Sequence, residues 1–269
     1  MSEGLNRHLA PISPSAWQVI DEIARDTLSV WLAGRRLVDF TGPLGWAHSA
    51  VSTGMAHGLD GFGKDLQVHR REVQPLLELR VPFRLSREEI DSVDRGNPAP
   101  PLDALVDAAR RIAAAEDRLV FDGLPAAGIH GLHAHAENEP QVIEHDYNAY
   151  PRTVAQAVQR LRSAGISGPY ALALGPRCWE GVHITAAPGG YPVIEHVQRV
   201  VDGPIVWAPA LNGAAVISQR GGDFELVVGR DLSIGYLHHT ASEVELYLEE
   251  SVVFRLHGPD AAVPLVYAD

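Results

Sequence analysis

The sequence contains one cysteine, Cys178, which excludes an internal disulfide. Basic residues are scarce as well: Lys and Arg number 22 against 34 Asp and Glu, which gives a net charge of -12. A surface of that sign repels phosphate groups and argues against general binding to nucleic acid or to anionic membranes, with a local basic patch as the alternative. No apolar run approaches the roughly 18 residues of a membrane helix, and the first residues lack the apolar core of a signal peptide. We therefore expect a soluble protein of the reducing cytoplasm.

Motifs of the common catalytic classes are missing too: G-x-S-x-G, H-E-x-x-H and paired C-x-x-C do not occur. Residues 58–64, GLDGFGK, fit part of a phosphate-binding loop, but Asp65 replaces the hydroxyl that would hold magnesium. No base adjoins Cys178, so we expect this residue to act as a buried small hydrophobe. Paired carboxylates lie on segments whose charged faces are expected to be solvated. The sequence therefore predicts no catalytic residues and a protein that is not an enzyme.

Three histidines are potential metal ligands by residue type: His130, His133 and His135. The first two could share a helical face and the last two a strand face, but no regular element presents all three together. Gly128 and Gly131 indicate a turn here, so we expect solvated histidines, no bound metal and no other cofactor. A soluble metal-dependent hydrolase that uses these three histidines is an alternative.

Helical periodicity is clear in two long segments. The first begins with Ser13 as a cap and Pro14 at the first helical position, and it ends near Gly34. The second spans residues 103–121, with apolar residues recurring on one face and many alanines. Both segments are predicted to be long helices that pack closely.

Period-two alternation in residues 76–85, LLELRVPFRL, predicts a half-buried strand, and Pro82 within it indicates an edge or a bulge. Ser86 and Glu89 then form a capping-box pattern for a short helix. Residues 128–220 switch to shorter alternating helices and strands, which indicates a separate α/β lobe, and strand character dominates after residue 223. The predicted fold class is α+β, with the middle lobe inserted between segments that pack together.

A glycine-rich stretch follows the first helix. Residues 41–64 contain six glycines and show no sustained period of either kind. Connections longer than about 12–15 residues are uncommon in compact domains and tend to be functional or disordered. This stretch therefore needs an explanation other than a simple turn.

Seven blocks of sequence together resemble the encapsulin shell proteins, also called linocin or bacteriocin-like proteins. They are LAPISPSAW, LAGRRLVDFTGPLGW, VPFRLSREEIDSVDRG, AAEDRLVFDG, GISGPYALAL, GGYPVIEHV and RGGDFELVVGRDLSIGY, in family order from Leu9 to Tyr236. The resemblance implies the fold of the tailed-bacteriophage major capsid protein and self-assembly into an icosahedral shell. It also implies a cargo enzyme, a dye-decolourising peroxidase or a ferritin-like iron oxidase, held through its C-terminal targeting peptide, and hence a role in oxidative stress or iron storage.

A phage-type capsid protein is the alternative within the same fold. A genome-filled interior favours a basic lining, so the excess of negative charge argues against it.

The resemblance further implies a division of the chain. Residues 1–40 would form the N-terminal helix and arm of a peripheral domain, and residues 41–75 an extended loop of two strands. Residues 76–127 would add the spine helix of the peripheral domain, residues 128–220 an axial domain, and residues 221–269 the return strands of the peripheral domain. The extended loop would reach over a neighbouring subunit and pair with its loop, which would explain why the loop lacks a core.

Two sets of site residues follow from the resemblance. The groove for the targeting peptide would consist of Leu32, Arg35, Val38, Asp39, Asp231, Leu232 and Ile234. The loop at the five-fold pore, within residues 180–192, would contain Glu180, Gly181, Val182, His183, Gly189, Gly190 and Tyr191. There His183 could attract ions. Relatives that bind a flavin carry an aromatic residue after FRL, whereas Ser86, Arg87, Glu88 and Glu89 supply no ring here, so no flavin is expected.

Overall fold

Two five-stranded sheets, each packed against helices, organise the chain, and two smaller sheets have two strands each. The computed structural model describes residues 4–61, 66–144, 146–187 and 189–268. The helices are α1 (Pro14–Trp31), α2 (Arg87–Asp94), α3 (Asp103–Phe121), α4 (Tyr150–Ser163), α5 (Pro176–Ile184) and α6 (Val193–Val200). The strands are β1 (Asp39–Thr41), β2 (Ala50–Leu59), β3 (Val68–Pro75), β4 (Leu77–Ser86), β5 (Gly123–Leu124), β6 (Ile129–His130), β7 (Gln141–Ile143), β8 (Tyr170–Leu174), β9 (Ile205–Trp207), β10 (Ala214–Ser218), β11 (Phe224–Val228), β12 (Ser233–His239), β13 (Glu243–Leu256) and β14 (Ala262–Tyr267).

The first lobe is built around β13, a strand of 14 residues. Along one edge β13 pairs with β4, and along the other it pairs first with β12 and then with β11, which also binds β1. Among the described strands β4 has β13 as its single partner, so the edge position predicted from Pro82 is confirmed. Helices α1 and α3 cover the sheet, and their buried apolar residues form one core with β4, β12 and β13.

The local signals explain the helix boundaries of this lobe. The Ser13 hydroxyl accepts a hydrogen bond from the Ala16 N–H at 3.1 Å, which caps α1, and α3 occupies the predicted residues. Helix α2 also begins where predicted, but the expected capping box is wrong. The Ser86 side chain makes no capping hydrogen bond, and the Arg87 N–H is bound instead by the Ser242 carbonyl at 2.9 Å.

The second lobe has the strand order β7, β14, β10, β8, β9, with α4, α5 and α6 around the sheet. Every residue of β8 and β10 is buried, as expected of interior strands covered on both faces. The last strand, β14, pairs with β10 and with β7. The prediction that all of residues 221–269 return to the first lobe is therefore wrong for β14, because its apolar residues 262–265 are buried in the second sheet.

The glycine-rich stretch continues into an arm formed by β2 and β3, which pair with each other. The two predicted strands are confirmed; pairing with a neighbouring subunit stays a prediction. Gly54, at a φ of 79°, lies where the register shifts between Ser52 and Ala56. Large apolar side chains are exposed on the arm: Met55, Leu59, Leu66 and Val73. The last part of the rejected phosphate-loop motif, including Lys64 and Asp65, lies outside the described residues.

Candidate functional site

A groove of about 440 Å³ lies between α1 and the beginning of β12. Its floor is apolar and is formed by Ala24, Leu28, Leu32, Leu232, Ile234 and Leu248. Its rim is polar and is formed by Arg7, Asp21, Arg25, Ser29, Arg35, Asp231 and Ser233. The floor arises because Ala24 and Leu28 are four residues apart on α1 and so face the sheet together. An apolar floor with a charged rim suits an extended peptide that carries apolar side chains.

Five of the seven residues predicted for the groove line it: Leu32, Arg35, Asp231, Leu232 and Ile234. Their accessibility differs. Leu32 is 9% exposed and Ile234 is 4% exposed, so both are mainly core residues, whereas Leu232 is half-buried and presents apolar surface to the groove. Their placement together is a property of the fold; their binding of a peptide stays a prediction.

Val38 and Asp39 lie outside this groove, contrary to the predicted placement, and their binding of a peptide stays a prediction. The 3₁₀ turn Gly34–Arg36 redirects the chain, and β1 then runs parallel to β11. Val38 and Asp39 line a separate cavity of about 300 Å³, where the Asp39 carboxylate accepts a hydrogen bond from the Gly222 N–H at 2.6 Å. Proximity in sequence to Arg35 therefore does not bring these residues to the groove.

Arg35 binds three carboxylates beside the groove. Its Nε lies 2.9 Å from Glu116 Oε2, its Nη1 lies 2.8 Å from Asp231 Oδ1, and its Nη2 contacts Glu250. The side chains of Glu116 and Glu250 are fully buried. Burial opposes the Arg35 charge, but these contacts, with Glu116 first, raise its pKa. Burial and then the neighbouring Glu116 raise the pKa of Glu250. Arg35 is thus a structural link between α3 and β13.

Asp117 extends this acidic cluster to the end of α1. Its carboxylate accepts hydrogen bonds from the Ala33 N–H at 3.1 Å and the Gly34 N–H at 2.8 Å. Burial raises the pKa of Asp117 to about 7 although these hydrogen bonds oppose the rise. A Cβ at Gly34 would approach a methyl of Val120 to 2.9 Å, so the close packing of this turn on α3 requires glycine. No local sequence signal identifies Glu116, Asp117 or Glu250 as part of the site.

The segment before α1 closes one side of the groove. Arg7 pairs with Asp21 of α1 at 2.7 Å, and its guanidinium lies 3.8 Å from the ring centroid of Trp17. The Leu5 carbonyl accepts a hydrogen bond from the Tyr236 N–H of β12 at 2.8 Å. Sequence reasoning missed Arg7 and Asp21, although the i, i+4 spacing of Trp17 and Asp21 places them on one helical face.

The predicted pore loop is helical in its first part. Glu180, Gly181, Val182 and His183 all lie on α5, so the prediction of a loop is wrong for these residues. Pro176 at the first helical position favours this helix. Gly181 and Val182 are buried, and a Cβ at Gly181 would meet the Tyr147 ring at 2.3 Å. These two residues pack inside the subunit, while Glu180 and His183 are exposed.

The second part of the predicted pore loop is a tight exposed turn. The Ala187 N–H donates to the Tyr191 carbonyl at 2.8 Å, and Gly189 and Gly190 have φ values of 101° and 79°. Side chains rarely adopt such angles, so the turn requires its glycines. Tyr191 is 44% exposed; Pro188 lies outside the described residues. The described residues 189–192 are exposed on the second lobe, and their position at a pore stays a prediction.

His130 is the last residue of β6, and His133 and His135 lie in the turn that follows, so the predicted turn is found for two of the three histidines, which do not converge on one point. The His130 and His135 rings contact each other with centroids 4.5 Å apart, and His135 Nδ1 accepts a hydrogen bond from the Gly131 N–H at 3.2 Å. His133 is half-buried rather than solvated, and burial lowers its pKa. Within residues 4–61, 66–144, 146–187 and 189–268, no group of three His, Cys, Asp or Glu side chains could hold a metal ion. This geometry gives no support to a metal-dependent hydrolase.

Known proteins are similar to this chain over nearly its whole length. The model of the Linocin_M18 family, described as "Encapsulating protein for peroxidase", matches residues 2–253. The type 1 encapsulin shell protein of Rhodospirillum rubrum is 49% identical over 97% of this chain and 95% of that protein. The corresponding protein of Rhodococcus erythropolis is 45% identical over 97% of this chain and 98% of its own length.

Solved structures are similar in fold at low identity. A virus-like particle from Pyrococcus furiosus has a TM-score of 0.63 at 15% identity and covers 92% of this chain and 98% of its own. The capsid of Myoviridae Phage XM1 has a TM-score of 0.54 at 11% identity, with 88% and 90% covered. The predicted α+β capsid fold is confirmed. None of the helices within the described residues is long and apolar enough to cross a membrane.

Proposed function

The chain belongs to the encapsulin family of shell proteins, which form capsid-like compartments, and from this premise we propose that it builds an icosahedral shell in the cytoplasm around a cargo enzyme. The cargo carries a C-terminal targeting peptide, and the groove between α1 and β12 receives that peptide. A dye-decolourising peroxidase or a ferritin-like iron oxidase is the proposed cargo. The shell subunit itself contributes structure and no catalysis.

The arm of β2 and β3 supports an assembly in which one face of a subunit contacts a different face of the next subunit. Met55, Leu59, Leu66 and Val73 expose apolar side chains on a two-stranded hairpin, and isolated two-stranded hairpins are marginally stable in water. A neighbouring subunit that covers the arm removes this surface from water. Contact between one face of a subunit and a different face of the next generates a closed shell when the rotation closes.

The two lobes suggest a revised division of the chain. The first lobe, with α1, α3 and β13, corresponds to the peripheral domain, and the second lobe corresponds to the axial domain, now including β14. The exposed turn at residues 185–192 then faces the five-fold axis, with His183 at the end of α5 beside it. Exposed Glu180 and His183 would set the charge of the pore mouth.

The groove supports peptide binding because its floor is apolar and its rim is polar. Leu232 offers apolar surface to an apolar anchor of the peptide, and Asp231, whose side chain is 42% exposed, can accept hydrogen bonds from the peptide backbone or a basic side chain. Arg35 is already bound to Glu116, Glu250 and Asp231, so its part is to hold the groove in shape. The observation that carries this proposal is the apolar floor at the junction of α1 and β12.

The test is Leu232→Asp, co-expressed with a fluorescent protein that carries the targeting peptide of a candidate cargo. We expect hollow particles by negative-stain microscopy, as in the unmodified protein, and loss of the fluorescent protein from them, because a charge in the apolar floor opposes burial of the anchor. Leu237→Asp is the matched control: it places the same change on the same strand at a residue that is 43% exposed and outside the groove.

We expect Leu237→Asp to load as the unmodified protein does. Equal loading in Leu232→Asp would remove the groove assignment while leaving the shell intact. Failure of the unmodified chain to form particles would refute the assembly proposal itself.

A further inference from the structure

Three tyrosines surround Cys178, the one cysteine of the sequence, inside the second lobe. Cys178 Sγ on α5 lies 3.0 Å from the Tyr267 hydroxyl on β14. Tyr150, at the start of α4, faces the same thiol, and its ring stacks on that of Tyr147 with centroids 5.8 Å apart. The Tyr147 hydroxyl donates to the Arg177 carbonyl at 3.1 Å. Four oxidisable groups thus lie in one continuous cluster.

The Tyr150 hydroxyl is the unexplained member of this cluster. Tyr150 is 2% exposed, and its hydroxyl makes no hydrogen bond of regular geometry within the described part of the chain. A buried hydroxyl without a partner is destabilising, because it loses its hydrogen bonds to water on folding. Phenylalanine at this position would avoid that cost. The presence of tyrosine at position 150 therefore indicates that its O–H bond, which faces the Cys178 thiol, has a function.

The surroundings of Cys178 limit its chemistry. The thiol is fully buried, and burial raises its pKa, so the thiolate is disfavoured. Peroxide and other two-electron oxidants attack the thiolate, so these reactions are suppressed. Transfer of a hydrogen atom from S–H needs no thiolate and no charge separation. It suits an apolar interior in which charged intermediates are costly.

We propose that Tyr267, Cys178 and Tyr150 form a relay that carries a one-electron oxidation from the subunit surface into its interior. A one-electron oxidant removes an electron from the half-buried Tyr267, and the phenolic proton passes to water. The neutral Tyr267 phenoxyl takes the hydrogen atom of the Cys178 S–H across 3.0 Å. The resulting thiyl takes the hydrogen atom of the Tyr150 O–H. One electron and one proton leave the protein, and the radical rests on Tyr150.

One contact and the burial of Tyr150 fit a transfer from Tyr267 to Tyr150. The Arg177 guanidinium lies 4.2 Å from the ring centroid of Tyr267, and its positive charge opposes a radical cation, so oxidation must proceed with loss of the proton. At the other end, the buried Tyr150 is shielded from water and dissolved oxygen. The role in a compartment rests on the proposed function, since an enclosed peroxide-consuming enzyme would be the source of one-electron oxidants. The relay would then protect the surface of the shell from oxidative damage.

The test uses purified protein without cargo, so it does not depend on cargo loading. Photogenerated ruthenium(III) tris-bipyridine serves as the oxidant, and electron paramagnetic resonance follows the radical after rapid freezing. We expect a long-lived neutral tyrosyl signal in the unmodified protein. In Cys178→Ser the stronger serine O–H bond cannot supply hydrogen, so we expect loss of the long-lived signal and oxidation products at Tyr267. In Tyr150→Phe the O–H bond that would supply the last hydrogen atom is missing, so we expect loss of the long-lived tyrosyl signal.

Tyr236→Phe is the matched control, because Tyr236 is also half-buried and its hydroxyl lies 2.6 Å from a side-chain atom, His239 Nδ1. It should leave the signal unchanged. An unchanged signal lifetime in Cys178→Ser would overturn the relay. Peptide mapping of the oxidised unmodified protein needs no variant to fold: products at buried Tyr150 or Cys178 support the relay, and products confined to exposed tyrosines such as Tyr191 overturn it.

Discussion

Arg35→Met is expected to destabilise the first lobe strongly. The substitution leaves Glu116 and Glu250 fully buried without a counter-charge, and methionine keeps most of the apolar volume. Removal of one partner of a buried ion pair costs about 3–5 kcal/mol. Burial raises the pKa of Glu250, so Glu250 can reduce this cost by taking up a proton, and the defect should be larger at pH 8 than at pH 5.

Hydrogen exchange with mass spectrometry measures this loss on intact particles. For peptides covering α3, a loss of about 3–5 kcal/mol corresponds to exchange roughly 150- to 5,000-fold faster where local opening governs exchange. The additional changes Glu116→Gln and Glu250→Gln remove the buried charges and should restore most of the protection.

Arg36→Met is the matched control for this measurement. Arg36 is the next residue in the same 3₁₀ turn and is exposed, so its change should stay within about 0.5 kcal/mol of the unmodified protein. If Arg35→Met exchanges no faster than Arg36→Met, the three-carboxylate cluster does not hold α3 to β13, and the reasoning fails.

Two further predictions concern the buried residues Asp117 and Gly181. Burial raises the pKa of Asp117 from 3.8 to about 7, so the native state holds the proton: this stabilisation is complete below about pH 4 and is lost as the pH rises to about 7. The thermal midpoint should therefore fall less steeply with pH in Asp117→Asn, and an unchanged slope would contradict the assignment. Gly181→Ala places a Cβ 2.3 Å from the Tyr147 ring and should lower stability by about 1–3 kcal/mol. Gly58→Ala meets no atom within 4 Å and should have little effect, and equal thermal midpoints for the two variants would refute the argument.

Local signals in the sequence predicted the elements of the first lobe. Ser13 and Pro14 mark the start of α1, the apolar period of residues 103–121 defines α3, and alternation with Pro82 defines an edge strand. These features depend on residues within one or two turns of each other, which is why they could be found without a structure. Resemblance to a family then supplied the fold, which no local pattern determines.

The errors arise where distant segments meet. The chain position of Val38 does not show that a 3₁₀ turn directs it away from the groove. The charge cluster joins Arg35 to Glu116 and Glu250, which are far apart in sequence, and each carboxylate alone resembles a solvated side chain. Likewise the apolar character of β14 predicts burial but does not specify which of the two sheets contains it.

The position of β14 also affects the order of events during synthesis. It lies between β7 and β10, yet the ribosome makes it after every other strand of that sheet. Until residue 267 has left the exit tunnel, β7 has no partner and one edge of β10 is open. The second sheet is thus incomplete until β14 has been made, so a nascent subunit cannot offer the finished surface of this lobe to a neighbour before that point.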